Sequence, residues 1–246
     1  MIAYSTNDYL SKSYTDNLFK SQPWHQGMAC RLWSISFILE NIVGKTVLDV
    51  LCGKNIIGSY LINKGYDAVG LDMGIGAFQH ANTAKTKKII YNKNFPIFMS
   101  PASSMPFGDD SFDTVYTNDI FRWLCKDQRW LSSGFRFLTD GEIWHCRTLF
   151  EELLYEVMRV AKKRIIIVDR VNIPTGDKCT KNLRFKEVIK MLRANDWLVK
   201  GRLPSNNLSP LKDTLIEDQI RRKLDRKTKF ERATYYFLGI IAERKQ

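Results

Sequence analysis

Two aspartates and a glycine between them carry the plainest chemical signal in the chain. In VLDVLCGKNIIGSYLINKGYDAVGLDMG, residues 47–74, Asp49 lies in an apolar run, Gly53 follows in the turn Cys52–Asn55, and Asp72 closes the next apolar run. The stretch reads as a buried strand, a tight turn, a helix and a second strand. A glycine in the first turn lets backbone N–H groups approach a ligand, and Asn55 tolerates a left-handed backbone better than most residues. An acid at the end of the second strand can accept hydrogen bonds from both hydroxyls of a ribose, the role for which Asp72 is placed. Met73, next to it, can lie on an adenine face. The pattern therefore describes a nucleoside site. It is not a pyrophosphate site of the dinucleotide kind, because Cys52–Asn55 holds a single glycine. Nor is it a P-loop, because Gly53–Lys54 lacks both the preceding spacing and the following hydroxyl.

Such a site needs strands that deliver their carboxyl ends to one edge. Apolar runs occur at Thr46–Leu51, Ala68–Leu71, Pro96–Met99, Phe112–Thr117, Arg164–Asp169, Leu198–Arg202 and Thr234–Ala242. Runs such as TVLDVL and RIIIVD do not alternate, which suits strands buried on both faces of a parallel sheet. Helical patterns fall between them near 56–64, 75–90, 147–161 and 183–194. In LFEELLYEVMRVAKK, residues Leu149, Leu153, Leu154, Val157 and Val160 are spaced to share one helix face. Strands alternating with helices predict a doubly wound α/β domain. No repeat or linker divides residues 1–246, so a single domain is expected. Its additions are an N-terminal helical lid over 1–45 and decorations near 120–147 and 204–233.

The chain has 246 residues, 44% hydrophobic and 26% charged, the balance of a globular domain with a sizeable core. No apolar run reaches the roughly 18 residues a transmembrane helix needs. Cys30, Cys52, Cys125, Cys146 and Cys179 are far apart and form no CxxC pair, which suits reduced thiols in a cytoplasmic setting. His25, His80 and His145 are scattered, and no metal site is expected. The formal charge of +12 is unevenly placed: residues 1–150 hold 15 basic against 13 acidic side chains, and residues 151–246 hold 23 against 13. The block RRKLDRKTKFER, residues 221–232, concentrates Arg221, Arg222, Lys223, Arg226, Lys227 and Lys229. It reads either as a solvated helix face or as a footprint for a phosphate-bearing partner such as RNA or DNA.

Three stretches in order resemble the class I S-adenosylmethionine-dependent methyltransferases, over about residues 45–170. The first motif of that family is an acid, one residue, then Gly-x-Gly-x-Gly. Asp49 matches the acid, Gly53 the central glycine and Asp72 the ribose-binding acid, while Leu51 and Asn55 stand at the first and third glycines. MPFGDDSFDTVYTND (105–119) is similar to the family's Leu-Pro-Phe, acidic turn, Ser-Phe-Asp and fourth strand. LLYEVMRVAKKRIIIVD (153–169) is similar to the helix and fifth strand that follow, with the usual Pro-Gly-Gly turn shortened to Lys162–Lys163. The resemblance implies a Rossmann-like fold with a seven-stranded, mainly parallel sheet, helices on both faces, and Thr234–Ala242 as its antiparallel strand. It implies S-adenosyl-L-methionine as cofactor, held through Asp49, Leu51, Cys52, Gly53, Asn55, Asp72 and Met73, with Ser103 and Asn118 nearby. Pro101 stands where the family commonly has an acid near the adenine amino group.

Methyl transfer is an in-line displacement that rests chiefly on positioning, so a loud catalytic motif is not required. At the end of the fourth strand, TNDIFRW (117–123), Asn118 would face the cofactor or acceptor and Asp119 could serve as general base. Asp119 suits a helix cap equally well. His145 is a second base candidate, and packing beside Trp144 is the other reading of it. The aromatic residues Phe121, Trp123, Trp130, Phe135, Phe137 and Trp144 could line an acceptor pocket or simply bury the inserted segment. The motif of amino-directed nucleic-acid methyltransferases, Asn-Pro-Pro-Tyr, is missing. The sequence thus predicts a methyltransferase with an anionic acceptor, either a small molecule or a nucleic acid. The alternative is a non-catalytic module of the same fold that holds nucleic acid or a protein on its basic C-terminal surface.

Overall fold

A computed structural model describes residues 25–53, 56–73, 96–120, 140–171, 185–202, 208–210 and 236–245. Twelve elements lie in these residues: α1 (His25–Asn41), β1 (Thr46–Val50), α2 (Ile56–Asn63), β2 (Asp67–Asp72), β3 (Ile97–Met99), β4 (Phe112–Asn118), α3 (Asp140–Val160), β5 (Ala161–Val171), α4 (Phe185–Ala194), β6 (Trp197–Arg202), β7 (Ser209–Pro210) and β8 (Tyr236–Arg244). The strands form one sheet in the order β3-β2-β1-β4-β5-β8-β6-β7. Neighbours from β3 to β5 pair in parallel. The last long strand, β8, inserts antiparallel between β5 and β6. This is the Rossmann-like arrangement the motifs imply, with helices on both faces. The sheet has eight strands rather than seven, because the two-residue β7 adds to the edge of β6. Two residues carry no periodicity, so the sequence gives no sign of β7.

The core divides into two apolar layers, one on each face. On one face Leu48, Val50, Val115, Ile165 and Ile167 meet Phe150, Leu153, Leu154 and Val157 of α3 and Val188, Ile189 and Leu192 of α4. On the other, Val47, Tyr116, Ile166 and Val168 meet Phe37 and Ile38 of α1 and Ile57, Tyr60 and Leu61 of α2. Non-alternating strands are the consequence, since both faces are covered. In α3, Phe150 is buried where Leu149 was expected and Leu149 is half-buried; residues 150, 153, 154 and 157 keep the helical stripe. Helix α1 docks closely on β8, where a Cβ placed on Gly239 would come within 2.4 Å of the Phe37 ring.

The shortened turn at Lys162–Lys163 is not a turn. Helix α3 ends at Val160 and β5 begins at Ala161. Ala161 already pairs with Phe112, and a register shift between Phe112 and Thr114 absorbs the one extra residue. Lys163 then reaches Asp113 Oδ1 at 2.8 Å, while Asp113 Oδ2 accepts from the backbone N–H of Lys45 at 2.8 Å and of Thr46 at 3.3 Å. In return the Asp113 N–H donates to Thr46 Oγ1 at 2.9 Å. The aspartate of the Ser-Phe-Asp stretch is thus a clasp that ties the start of β1 to β4. Gly44 makes room for it: with φ +72°, a Cβ there would lie 2.2 Å from Asp113 Cγ.

A second clasp holds the Met105–Phe107 turn to α3. Arg159 donates to Phe107 O and Asp109 Oδ1 through Nη1, at 2.7 and 2.9 Å, and to Glu156 through Nε and Nη2, at 2.7 and 2.8 Å. Glu156 Oε2 in turn accepts the Met105 N–H at 2.6 Å. The Arg159 guanidinium holds the Glu156 carboxyl below its ordinary range.

Candidate active site

The chain leaves β1 for β2 on one side and reaches β4 on the other, so the strand order reverses at β1. Open α/β sheets bind ligands at such a switch point, beyond the carboxyl ends of the strands. The register fills that edge in rows. Asp49 lies between Gly70 of β2 and Tyr116 of β4, and Val50 lies between Leu71 and Thr117. Asp72 pairs with Met99 and Asn118 with Val168.

The turn after β1 stays attached to β2 through backbone bonds. The Cys52 N–H donates to Leu71 O at 3.1 Å, and the Gly53 N–H donates to Asp72 Oδ2 at 2.8 Å. Two residues of this turn are left-handed, Leu51 at φ +57° and Gly53 at φ +50°. For Gly53 that conformation is free of Cβ strain, and among the described residues only Leu51 O, at 4.0 Å, comes within reach of the site a Cβ would occupy. For Leu51 the same conformation costs about 1–2 kcal/mol, and its half-buried side chain packs on the apolar layer that includes Leu48, Val50 and Leu71. The turn keeps the shape that a glycine at 51 would adopt without strain.

Asp49 is buried, and Tyr116 lies opposite it on the neighbouring strand. Burial, opposed by the polar Tyr116 side chain and reinforced by the Asp72 charge, pushes the Asp49 carboxyl up to about 7. The same burial, with Asp49 and Asp72 nearby, pushes the Cys52 thiol well above its ordinary value, so this free thiol stays protonated. Met73 and Met99, at the ends of β2 and β3, are 59% and 61% exposed, an apolar surface of the kind that takes a flat ring.

At the end of β4, Asn118 and Asp119 are half-buried. The Asp119 backbone is left-handed at φ +59°, and its N–H donates to Val168 O at 2.8 Å. The next N–H, of Ile120, is capped at 2.8 Å by the buried Asp169 carboxylate of β5. Thus Asp169 supplies the capping bond to Ile120. The Asn118 Oδ1 atom is buried without a hydrogen-bond partner among the described residues. Ser103 is half-buried in the turn after β3, which the Ser104 N–H closes onto Pro101 O at 3.1 Å.

The structure therefore brings Asp49, Leu51, Cys52, Gly53, Asp72, Met73, Asn118 and Asp119 to one edge of the sheet. Asn55 lies outside the described residues. His145 falls within α3, but its side chain lies outside them too, as does the whole basic block 221–232. Sequence reasoning missed Tyr116. The one local sign of it is a large polar-tipped ring in the otherwise small and β-branched run TVYTN. Among the described residues no cluster of side chains suits a metal ion, and no helix is long and apolar enough to cross a membrane.

Residues 48–146 match the family model described as a methyltransferase domain. Residues of this chain are 42% identical over 60 positions to a ubiquinone biosynthesis O-methyltransferase of Pectobacterium carotovorum, covering 24% of this chain and 25% of the relative. A protein of the same description from Aliivibrio fischeri is 45% identical over 56 positions, 22% of this chain and 23% of the relative. These matches span about a quarter of the relatives' length. Among solved structures, YcgJ from Bacillus subtilis superposes with a TM-score of 0.51 at 16% identity, covering 87% of this chain and 98% of that one. Magnesium protoporphyrin IX methyltransferase from Synechocystis, solved with bound SAM, superposes at 0.51 with 12% identity over the full length of both chains. The [4+2]-cyclase SpnF superposes at 0.52 with 15% identity, over 90% of this chain and 82% of that one. Motifs, strand order and the family model over residues 48–146 agree on the fold of the class I S-adenosylmethionine-dependent methyltransferases.

Proposed function

We propose that the protein binds S-adenosylmethionine and transfers its methyl group to an anionic acceptor. The observation that carries this reading is the acid–turn–acid cradle, in which the Gly53 N–H is bonded to the Asp72 carboxylate at 2.8 Å. The residues fit the cofactor's parts. Asp72 would hold the ribose, Met73 and Met99 offer an apolar surface for the adenine, and Asp49 adds a buried acid suited to a cation. When bound, the cofactor supplies an electrophilic methyl on a sulfonium. The chain's own part is to orient: β1, β2 and β4 fix three groups at one edge, the setting in which positioning is effective. Asn118 would align the acceptor and Asp119 would take its proton. Oxygen is the favoured acceptor atom, because the curated relatives are O-methyltransferases.

The anionic character of the acceptor rests on the basic block at 221–232. A nucleic acid and a small anion are separated by salt: each phosphate neutralised contributes a slope of about −0.7 to −0.9 in log affinity against log salt.

A second reading, a binding module without turnover, is favoured by one observation. Leu51, strained at φ +57°, puts a side chain in the turn where the family has its first glycine. A family fold also does not fix the chemistry, as the neighbour described as a cyclase illustrates.

Calorimetric titration with S-adenosylmethionine and S-adenosylhomocysteine, followed by labelled-methyl transfer in a cell extract, tests both readings. Binding of both ligands with transfer of label supports the enzyme. Binding without transfer supports the module, and absence of binding removes the cofactor reading.

A further inference from the structure

Asn118 ends β4 with an amide oxygen, Oδ1, that is buried and has no hydrogen-bond partner among the described residues. A buried carbonyl oxygen left without a donor costs desolvation that folded chains rarely leave uncompensated. The neighbours explain why nothing fills it. On β5, Asn118 pairs with Val168, an apolar residue, and on the other side β1 has already ended at Val50. The next two backbone N–H groups are spent on β5: Asp119 donates to Val168 O and Ile120 to Asp169 Oδ2, each at 2.8 Å. Asn118 as a whole is only half-buried, so a group arriving at the edge can reach its amide.

The register sets Asn118 beside the candidate site. Asp49 pairs with Gly70 on one flank and with Tyr116 on the other. Two residues further along, Asp72 and Asn118 therefore share one row on one face of the sheet. They flank the end of β1, two strand spacings or about 10 Å apart. We propose that Asn118 Oδ1 receives a hydrogen from the methyl acceptor, whose reacting group is a hydroxyl and not a carboxylate. The inference rests on the transfer reading above and deepens it by naming the chemical class of the acceptor group. The polar side chains brought to this edge, Asp49, Asp72, Asn118 and Asp119, all offer oxygens that accept. An ionised carboxylate brings no hydrogen and is repelled by like charge. A hydroxyl arrives neutral and fills the Asn118 oxygen, while the negative charge proposed for the acceptor lies elsewhere on that molecule. In the transfer the hydroxyl oxygen bonds to the methyl carbon, and the methyl–sulfur bond breaks with its electron pair left on sulfur. The hydroxyl proton passes to the adjacent Asp119 carboxylate.

The test transfers labelled methyl groups from S-adenosylmethionine into a cell extract, counts them above a control without the protein, and asks what bond holds them. Mild alkali releases methyl esters as volatile methanol and spares ethers and methylamines. Hot hydriodic acid then frees ether methyls as methyl iodide. Label that survives alkali and leaves in hydriodic acid is the expected result. Label volatile in alkali, or retained through both treatments, overturns the inference alone, because transfer has still occurred. No transfer brings down the transfer reading and the inference together. Variants give a second measure, with cofactor affinity read by calorimetry. Asn118→Leu should lower transfer by about tenfold and leave S-adenosylmethionine affinity unchanged. Asn118→Asp keeps an accepting oxygen and should recover part of the transfer. Wild-type transfer in Asn118→Leu overturns the inference. Transfer and cofactor affinity lost together, without recovery in Asn118→Asp, would make Asn118 a structural residue and overturn it too. If Asn118→Leu does not fold, the alkali and acid treatments of the wild-type product decide.

Discussion

The backbone N–H of Gly53 donates to the Asp72 carboxylate at 2.8 Å, so the turn after β1 and the acid at the end of β2 form one unit. On the proposed reading, removing the acid acts on both halves at once: the ribose would lose its acceptor and the turn its anchor. Asp72→Ala should weaken S-adenosylmethionine binding by about 1–3 kcal/mol. Asp72→Asn keeps an oxygen for the Gly53 N–H and should lie between the two. Calorimetry checks the series, and wild-type affinity in Asp72→Ala would remove Asp72 from the site.

Leu51 gives a sharper prediction because two effects oppose each other. A glycine at 51 relieves about 1–2 kcal/mol of left-handed strain, but gives up the burial of a half-covered leucine and about 0.5–1 kcal/mol of backbone entropy. Leu51→Gly should therefore leave stability within about 1 kcal/mol of wild type, while opening the turn to the methionine part of the cofactor. Tighter S-adenosylmethionine binding at nearly constant melting temperature is expected. Unchanged binding would mean that the leucine side chain, packed on the apolar layer beside Leu48 and Leu71, does not obstruct the site.

What the sequence made legible was local. Asp49, Gly53 and Asp72 stand out because a nucleoside turn needs those residue types within one strand–turn–helix–strand unit. The two-sided burial of β1, β4 and β5 shows directly in their unbroken apolar runs. Tyr116 was not legible, since its meaning depends on a parallel register that sets it opposite Asp49. The same holds for Asp113 and Arg159, whose motif positions were visible but whose roles as clasps depend on partners far away in the chain. Lys162–Lys163 misled because helix and strand meet there without a turn, and a bulge takes up the slack.

The Asp113 clasp predicts an acid-labile fold. Lys163 and the two backbone N–H groups hold the Asp113 carboxyl well below the usual carboxylate range. Its contribution is complete above the unfolded value of about 4 and is lost as pH falls below that toward the depressed folded value. Asp113→Asn should flatten the acid limb of stability against pH. Asp113→Ala should cost about 2–4 kcal/mol, because two backbone donors lose their acceptor. Urea unfolding at pH 3, 4 and 6 measures both.

Asp49 has the opposite sign. Its folded carboxyl is pushed up to about 7, above the ordinary value of 3.8, so between these values the folded chain binds the proton more tightly than the unfolded chain. Stability from this group is complete below about pH 4, falls as pH rises toward 7, and is level above it. Asp49→Asn cannot ionise, so its stability should hold steady through that window and exceed wild type above pH 7. The gain would show that Asp49 is maintained at a cost to the fold, as expected of a buried acid kept for a cationic ligand. Saturating S-adenosylmethionine should close the gap, because a ligand bound to the folded state stabilises it by RT ln(1 + [L]/Kd). An Asp49→Asn protein no more stable than wild type at pH 8, in parallel urea titrations, would place the Asp49 titration outside this window.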